Sequence, residues 1–267
     1  MITDTVQRWQ EGRESRRPAG ELIRTAEYDV APISGAAARA FVEAHHYSGT
    51  CSPTAHPFGL HHRGELVGAA VFGPPASMNA HRAVFPTLAI GQAATLGRLV
   101  LLDEVPGNGE SWFVARCFGQ LRADGIIAIE SCADPQPRTT IDGRRVHRGH
   151  VGCVYQALNG RHVGKTREAS LNILPDGTVL SNRAQGKIAR RERNSAGPAS
   201  QLVRFGADPL HAEATAEEAL AWLRHWRAQI TRPMRHRGNY RYVWSLNRRY
   251  RSELEQMPKL PYPKVAA

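Results

Sequence analysis

The chain has 267 residues, 42 % of them hydrophobic, with a formal net charge of +11 and a sequence pI near 10.1. That is enough apolar material for a sizeable core, so a disordered chain is excluded and the choice lies between one large domain and a core domain with an appendage. No window approaches the ~18 apolar residues of a membrane span, so a soluble, intracellular protein is expected. The cationic surplus favours a polyanionic partner, nucleic acid first, because clustered Lys and Arg gain affinity by releasing counterions from phosphates.

Residues 1–30 are rich in Arg, Glu and Gln and read as a helix or a loosely attached arm. Ser34 caps a helical pattern through Ala37, Phe41 and Val42 that ends at His45-His46-Tyr47-Ser48-Gly49, where glycine suits a left-handed stop. Phe58 to His62 and Glu65 to Phe72 are short strand patterns joined by Arg63-Gly64, a hairpin signal. Residues 76–92 form a proline-broken connection. Ala94 to Leu102 is a strong strand interrupted by Arg98, a costly residue there unless held against an anion or carboxylate. A turn containing Gly107 and Gly109 leads into a helix to Ala123, and Ile126 to Glu130 is a further strand. Strand, helix, strand implies a parallel crossover or a splayed parallel pair, and the glycine turn could offer free N–H groups to an anion, though Asp103, Glu104 and Glu110 oppose one.

The second strand delivers Ser131 to Pro135, at the strand end where ligands sit in open sheets. A basic loop, 136–148, follows and carries Arg138, Arg144, Arg145, His147 and Arg148; it reads as an exposed finger able to touch phosphates. Ser170 to Leu180 has strand pieces about a Pro175-Asp176-Gly177 turn. Ser181 to Arg193 is a helix or arm bearing Arg183, Lys187, Arg190, Arg191 and Arg193. Residues 196–211 look loop-like. Thr215 and Glu218 form a capping box for a helix to about Ile230. Tyr240 to Leu246 alternates as a strand flanked by arginines, Arg248 and Arg249 among them. Arginines interleaved with aromatics suit nucleic-acid contact, and a charge-guarded edge strand gives the same pattern.

The densest chemistry lies between Glu130 and Asn159. Zinc is disfavoured, because of Cys132, His147, His150 and Cys153 only the last three are close in sequence, and zinc needs four well-placed ligands. The four cysteines, Cys51 and Cys117 included, lie far apart, so no disulfide framework is expected. Ser131, Asp134 and His150 lack the nucleophile elbow of a serine hydrolase. A transfer onto an amine would use Asp134 to take or relay a proton, Tyr155 as a hydroxyl acid and Arg98 as partner to an oxyanion. Equally, Ser131 and Asp134 could cap the Pro135 turn while Tyr155 fills the core.

Taken together, His46-Tyr47, Gly97 to Val100, Ser131 to Pro135, Gly149-His150-Val151-Gly152, Val154 to Asn159 and Leu260-Pro261-Tyr262-Pro263-Lys264 resemble the Mom family of phage DNA-modification proteins, in order and approximate spacing from about residue 41 to 264. The family has an aromatic where Cys132 stands. The resemblance implies an α/β fold similar to the GNAT-type N-acyltransferases, with a mixed, mostly antiparallel central sheet flanked by helices. In that picture residues 31–267 form a single domain with basic insertions at 136–148 and 180–212, after an arm at 1–30. It implies carbamoylmethylation of adenine N6 in double-stranded DNA, in the host cytoplasm, shielding phage DNA from restriction. It implies a catalytic set of Tyr47, Arg98, Ser131, Asp134, His150 and Tyr155. An acetyl-coenzyme A or related acyl-coenzyme A would lie at Val100, Leu101, Gly107, Gly109 and Ser111, with participation of iron proposed for the family. The basic finger and Arg-rich segments, through Arg144, Arg145, Arg148, Arg190, Arg191, Arg248 and Arg249, would hold DNA. The rival readings are a GNAT-type acetyltransferase of a small amine or protein, and a non-enzymatic DNA-binding protein.

Overall fold

In the computed structural model, residues 5–10, 13–18, 20–75 and 77–264 are described. The elements are β1 (Thr5–Gln10), β2 (Arg13–Pro18), β3 (Tyr28–Pro32), α1 (Gly35–His45), β4 (His56–His62), β5 (Glu65–Gly73), α2 (Met78–Val84), β6 (Ala93–Leu101), α3 (Gly109–Ala123) and β7 (Ala128–Ala133). There follow β8 (Arg138–Thr139), β9 (Arg145–His147), α4 (Cys153–Ala157), β10 (Arg161–Lys165), β11 (Ala169–Ile173), α5 (Asn182–Ala189), α6 (Ala196–Val203), α7 (Ala216–Ile230), β12 (Arg232–His236), β13 (Tyr240–Ser245) and α8 (Arg251–Gln256). They group into two compact units. The first comprises the chain up to Pro135, His150–Thr166 and the chain from Asn239; the second comprises Gln136–Gly149 and Arg167–Gly238.

The first unit is built on a seven-stranded sheet in the order β10-β13-β7-β6-β5-β4-β3. Every pairing is antiparallel except β6 with β7. This is the mixed, mostly antiparallel sheet that the resemblance implies. The local signals explain its assembly. Ser34 Oγ accepts the N–H of Ala37 to start α1, and Gly49 turns the chain after it at φ 57°. Arg63 and Gly64 both take positive φ, the condition for a tight two-residue hairpin whose twist matches its strands. One face of the sheet carries α1, through Ala38 and Val42 against Ala69, Val71 and Val100. The other packs on α3, through Phe113, Val114, Cys117 and Leu121 among Phe72, Leu96, Ile129 and Tyr242.

Several expectations are corrected. Of the arm expected over residues 1–30, residues 1–4, 11, 12 and 19 lie outside the described residues; the described part is a β1/β2 hairpin followed by strand β3, not a helix. Ser131 lies within β7 rather than in the turn beyond it. β13 is not an edge strand: it pairs with β10 on one side and β7 on the other. Tyr242 and Val243 are therefore fully buried, and Trp244 nearly so, which makes these aromatics core rather than a platform for bases. Residues 196–203 form helix α6, because Pro198 falls in its first turn, where N–H groups have no helical partner to lose.

The second unit holds two small hairpins, β8/β9 and β11/β12, with α5, α6 and α7 around a separate core of Leu174, Leu180, Ile188, Leu202 and Leu223. The Thr215–Glu218 capping box opens α7 as expected.

Candidate active site at the fork between two parallel strands

The candidate site begins where the sheet opens. Parallel pairing of β6 with β7 runs from Ala93/Ala128 to Leu96/Ser131, although β6 continues to Leu101 and β7 to Ala133. At the fork Ser131 Oγ donates to the Leu96 carbonyl at 2.9 Å. Gly97 follows, and a Cβ there would lie 2.5 Å from Ser52 Oγ, so only glycine lets the 50–54 segment close over this part of β6. Arg98 is held by that segment: its Nε donates to the Thr50 carbonyl at 2.7 Å and its Nη2 to Thr50 Oγ1 at 3.3 Å. The expected carboxylate or anion partner is thus replaced, in this structure, by backbone and hydroxyl oxygens.

Tyr155 comes to the fork from α4. That helix starts at Gly152, whose φ of 80° is left-handed and whose missing Cβ would lie 2.7 Å from Tyr155, 2.9 Å from Tyr242 and 3.2 Å from Ala133. Gly152→Ala is therefore expected to cost about 1–2 kcal/mol for the backbone and about 1–3 kcal/mol more for crowding a packed core, readable as a lower denaturation midpoint. Gln156 fixes the same helix: its Nε2 donates to the carbonyls of Val151 and Pro263 and to the Tyr242 hydroxyl. The closing Leu260 to Pro263 segment is bound to β10 as well, Leu260 N–H donating to the His162 carbonyl and His162 Nδ1 meeting the Pro261 carbonyl at 2.7 Å.

The buried Tyr155 hydroxyl is pushed well above the usual phenol range by loss of solvent. A hydrogen bond with Ser131 and the charge of Arg98 act the other way, and the nearby Tyr47 and Cys132 act with burial. The structure thus gathers Tyr47, Arg98, Ser131 and Tyr155. His150 joins them, its ring edge-on to Tyr155 with centroids 6.4 Å apart and its N–H donating to the Asp134 carbonyl at 2.8 Å. All six residues of the expected catalytic set lie in the first unit.

The expected cofactor positions divide. The side chains of Val100 and Leu101 are buried in the core, so only their backbones are available to a ligand. Gly109 packs against Val105 and Leu101, where a Cβ would meet Val105 at 2.5 Å, and Ser111 Oγ donates to the Asn108 carbonyl. Gly107 lies on the β6–α3 loop, half-buried. Cys132 and Cys153 do not join the histidines in a metal site: among the described residues no group of three or more His, Cys, Asp or Glu is disposed to hold an ion. Burial pushes the Cys132 thiol up to about 12.

One polar cluster had no sequence signal beyond an acid at the end of an apolar run. Glu130 is buried on the sheet face opposite Ser131 and receives Arg241 Nε at 3.0 Å and the Cys132 thiol at 3.7 Å. Desolvation raises its pKa, with Arg241 opposing. A groove of about 540 Å³ beside α3 is lined by Tyr28, Val30, Trp112 and Arg116 and includes none of the six residues.

Among solved structures, the chain is similar to a GNAT family N-acetyltransferase from Escherichia coli in complex with CoA (13 % identity, 41 % of this chain and 64 % of that one, TM-score 0.31). It is also similar to a tandem GNAT protein from the clavulanic acid biosynthesis pathway (9 %, 83 % and 99 %, TM-score 0.43). An N-acetyltransferase from Staphylococcus aureus gives 13 %, 54 % and 87 %, with a TM-score of 0.33. At this distance these likenesses say nothing of what the chain binds or makes. No curated protein sequence matches it. Residues 27–264 match the Mom protein family, a span that takes in the whole seven-stranded sheet, the fork and the closing proline segment. The chain belongs to the Mom protein family.

Proposed function

We propose that the protein is a GNAT-like transferase that modifies adenine N6 in double-stranded DNA, leaving a carbamoylmethyl derivative that shields phage DNA from restriction in the host cytoplasm. The observation that carries this reading is the fork itself: a proton-bearing Tyr155 bonded to Ser131, beside Arg98 and Tyr47, in a chain of this family. An acyl-coenzyme A fits the residues present. Residues 98–101 of β6 pair with β5 but not with β7, and Gly97 is the bulge between them and the paired start of the strand, so one edge of the strand is open to an extended ligand, and the β6–α3 turn leads to a helix N-terminus. When bound, such a cofactor supplies an activated acyl carbon and a thiol leaving group. Iron does not fit, because the described residues offer no donor set for it.

In this reading Asp134 takes the proton of the adenine amine as N6 bonds to the transferred carbon. An acyl thioester alone would give an N6-acyladenine. The carbamoylmethyl product, in which N6 bonds to a methylene, requires a donor that also brings the carboxamide nitrogen and carries its leaving group on that methylene. Tyr155 would give its proton to the leaving group as the bond to the transferred carbon breaks, and Ser131 orients the Tyr155 hydroxyl. Arg98 places positive charge near the oxygen that becomes anionic in the transition state. The adenine has to leave the base stack, since N6 in a duplex is not free to react. A carbamoylmethyl group contains a carboxamide nitrogen that an acetyl group lacks, so the mass of the product reports the donor. Mass spectrometry of nucleosides from DNA co-expressed with the protein is expected to show carbamoylmethyl-deoxyadenosine. Acetyl-deoxyadenosine would replace the assigned group while keeping the target, and wholly unmodified deoxyadenosine alongside folded protein would overturn the proposal.

A further inference from the structure

Positive charge is divided unevenly between the two units. The second unit, about a third of the chain, carries 16 Lys and Arg against 8 Asp and Glu, while the first carries 19 against 16. Most of the formal surplus of +11 therefore resides in the smaller unit, where self-repulsion works against a modest core. Two basic segments far apart in sequence belong to this one unit. The 136–148 finger is anchored inside it: Ile141 N–H donates to the Pro175 carbonyl at 2.8 Å and Arg232 Nη2 to the Thr139 carbonyl at 2.7 Å. At Gly177, a Cβ would meet Val146 at 2.3 Å. The finger tip exposes Arg144 and Arg145. The other segment is α5, with Ala184 and Ile188 turned into the core and Arg183, Lys187 and Arg190 at helical spacing along its outer side.

The unit's acids offset only part of this charge, Asp142 lying near Arg144. Asp176 pairs with Arg204, Glu168 with Arg235 and Glu192 with Arg190, and Glu218 is used in the α7 capping box. Arg191 is committed to the Ala212 carbonyl. Arg183 and Arg193 remain exposed. Such a surface suits phosphates, which attract by charge and position a duplex without reading its sequence.

We infer that the second unit is the duplex-holding part of the protein, gripping DNA phosphates through the finger and α5, while the first unit performs the chemistry. This rests on the DNA-modification reading above. The test uses the full chain and a duplex of fixed sequence, with affinity measured by fluorescence anisotropy across a salt series. The variants are Arg144→Glu with Arg145→Glu, Arg183→Glu with Lys187→Glu, and, in the first unit, Arg82→Glu with Arg122→Glu, both exposed. Both second-unit pairs are expected to weaken binding at least about tenfold and to flatten the salt dependence by roughly one unit of slope for each phosphate no longer neutralised, with circular dichroism unchanged. The first-unit pair should bind within about twofold of the parent. Gln in place of Glu supplies the second-unit variants if charge reversal unfolds them. Parent-like binding by the second-unit variants, or equal weakening by Arg82→Glu with Arg122→Glu, overturns the inference. Binding that follows the expected pattern with no modified nucleoside supports the inference and removes the modification reading; modified nucleoside with parent-like binding by the second-unit variants does the reverse.

Discussion

Tyr155→Phe is expected to reduce formation of modified deoxyadenosine by about 100- to 10,000-fold, the range for removing a positioned proton donor, while the protein stays folded. The aromatic ring is preserved, so its packing against Tyr242 at 5.5 Å and Trp244 at 5.7 Å persists. Ser131 keeps its bond to the Leu96 carbonyl, and the stability lost with one neutral hydrogen bond is about 0.5–1.5 kcal/mol. The sign of the pKa shift matters. A phenol raised by burial remains protonated throughout the neutral range and can only donate. Its contribution to stability is complete below the ordinary phenol pKa of about 10 and is lost only as pH rises through the higher folded value. Tyr155 therefore cannot supply the acidic limb of a pH–rate profile. Single-turnover transfer with a parallel denaturation curve checks the prediction; parent-like transfer by the Phe variant would reduce Tyr155 to a core aromatic.

Elements governed by their own neighbours were legible in the sequence. The capped starts of α1 and α7, the Arg63-Gly64 hairpin and the parallel crossover from β6 through α3 to β7 all follow from local period and turn chemistry. What was not legible depends on partners distant in the chain. An aromatic strand flanked by arginines looks the same at an edge or inside a sheet, and only the arrival of β10 on its far side makes β13 internal. The same holds for the site. Motif resemblance named Tyr47, Arg98, Ser131 and Tyr155, and the strand, helix, strand order allows a splayed pair, but nothing in the sequence places the parting of β6 and β7 at Leu96/Ser131. Glu130 appeared only as the first residue of a dense stretch; its partner Arg241 lies 111 positions away. The basic insertions were visible as charge, yet their membership of one unit with its own core was not.

Arg8→Ala is expected to destabilise the first unit by about 3–5 kcal/mol, the cost of stripping one partner from a buried ion pair. Arg8, on β1, lies ahead of the residues matched by the family, and its side chain is only 3 % exposed. The guanidinium donates to the carbonyls of Leu102 at 2.7 Å, Asp103 at 3.1 Å, Val105 and Pro106 at 3.1 Å, and to both oxygens of Glu110 at 2.8 and 3.2 Å. A planar fork of donors suits that set as an ammonium does not. Removing it leaves a half-buried Glu110 carboxylate and several loop carbonyls without a donor. The position adds a second consequence. Those carbonyls belong to the β6–α3 loop, which continues from the edge of β6 at which an acyl-coenzyme A is proposed to lie, and Glu110 in the first turn of α3 would repel its phosphates unless a cation neutralises the carboxylate. Arg8→Ala should weaken acyl-coenzyme A binding in calorimetry as well as lower the denaturation midpoint. Arg8→Lys should retain much of the binding but little of the stability, because it restores the charge without the fork. Arg8→Ala with Glu110→Ala should recover both in part, since the stranded carboxylate is gone. A parent-like midpoint for Arg8→Ala would mean that the hairpin does not brace the loop in solution, and parent-like binding would mean that Glu110 does not face the phosphates.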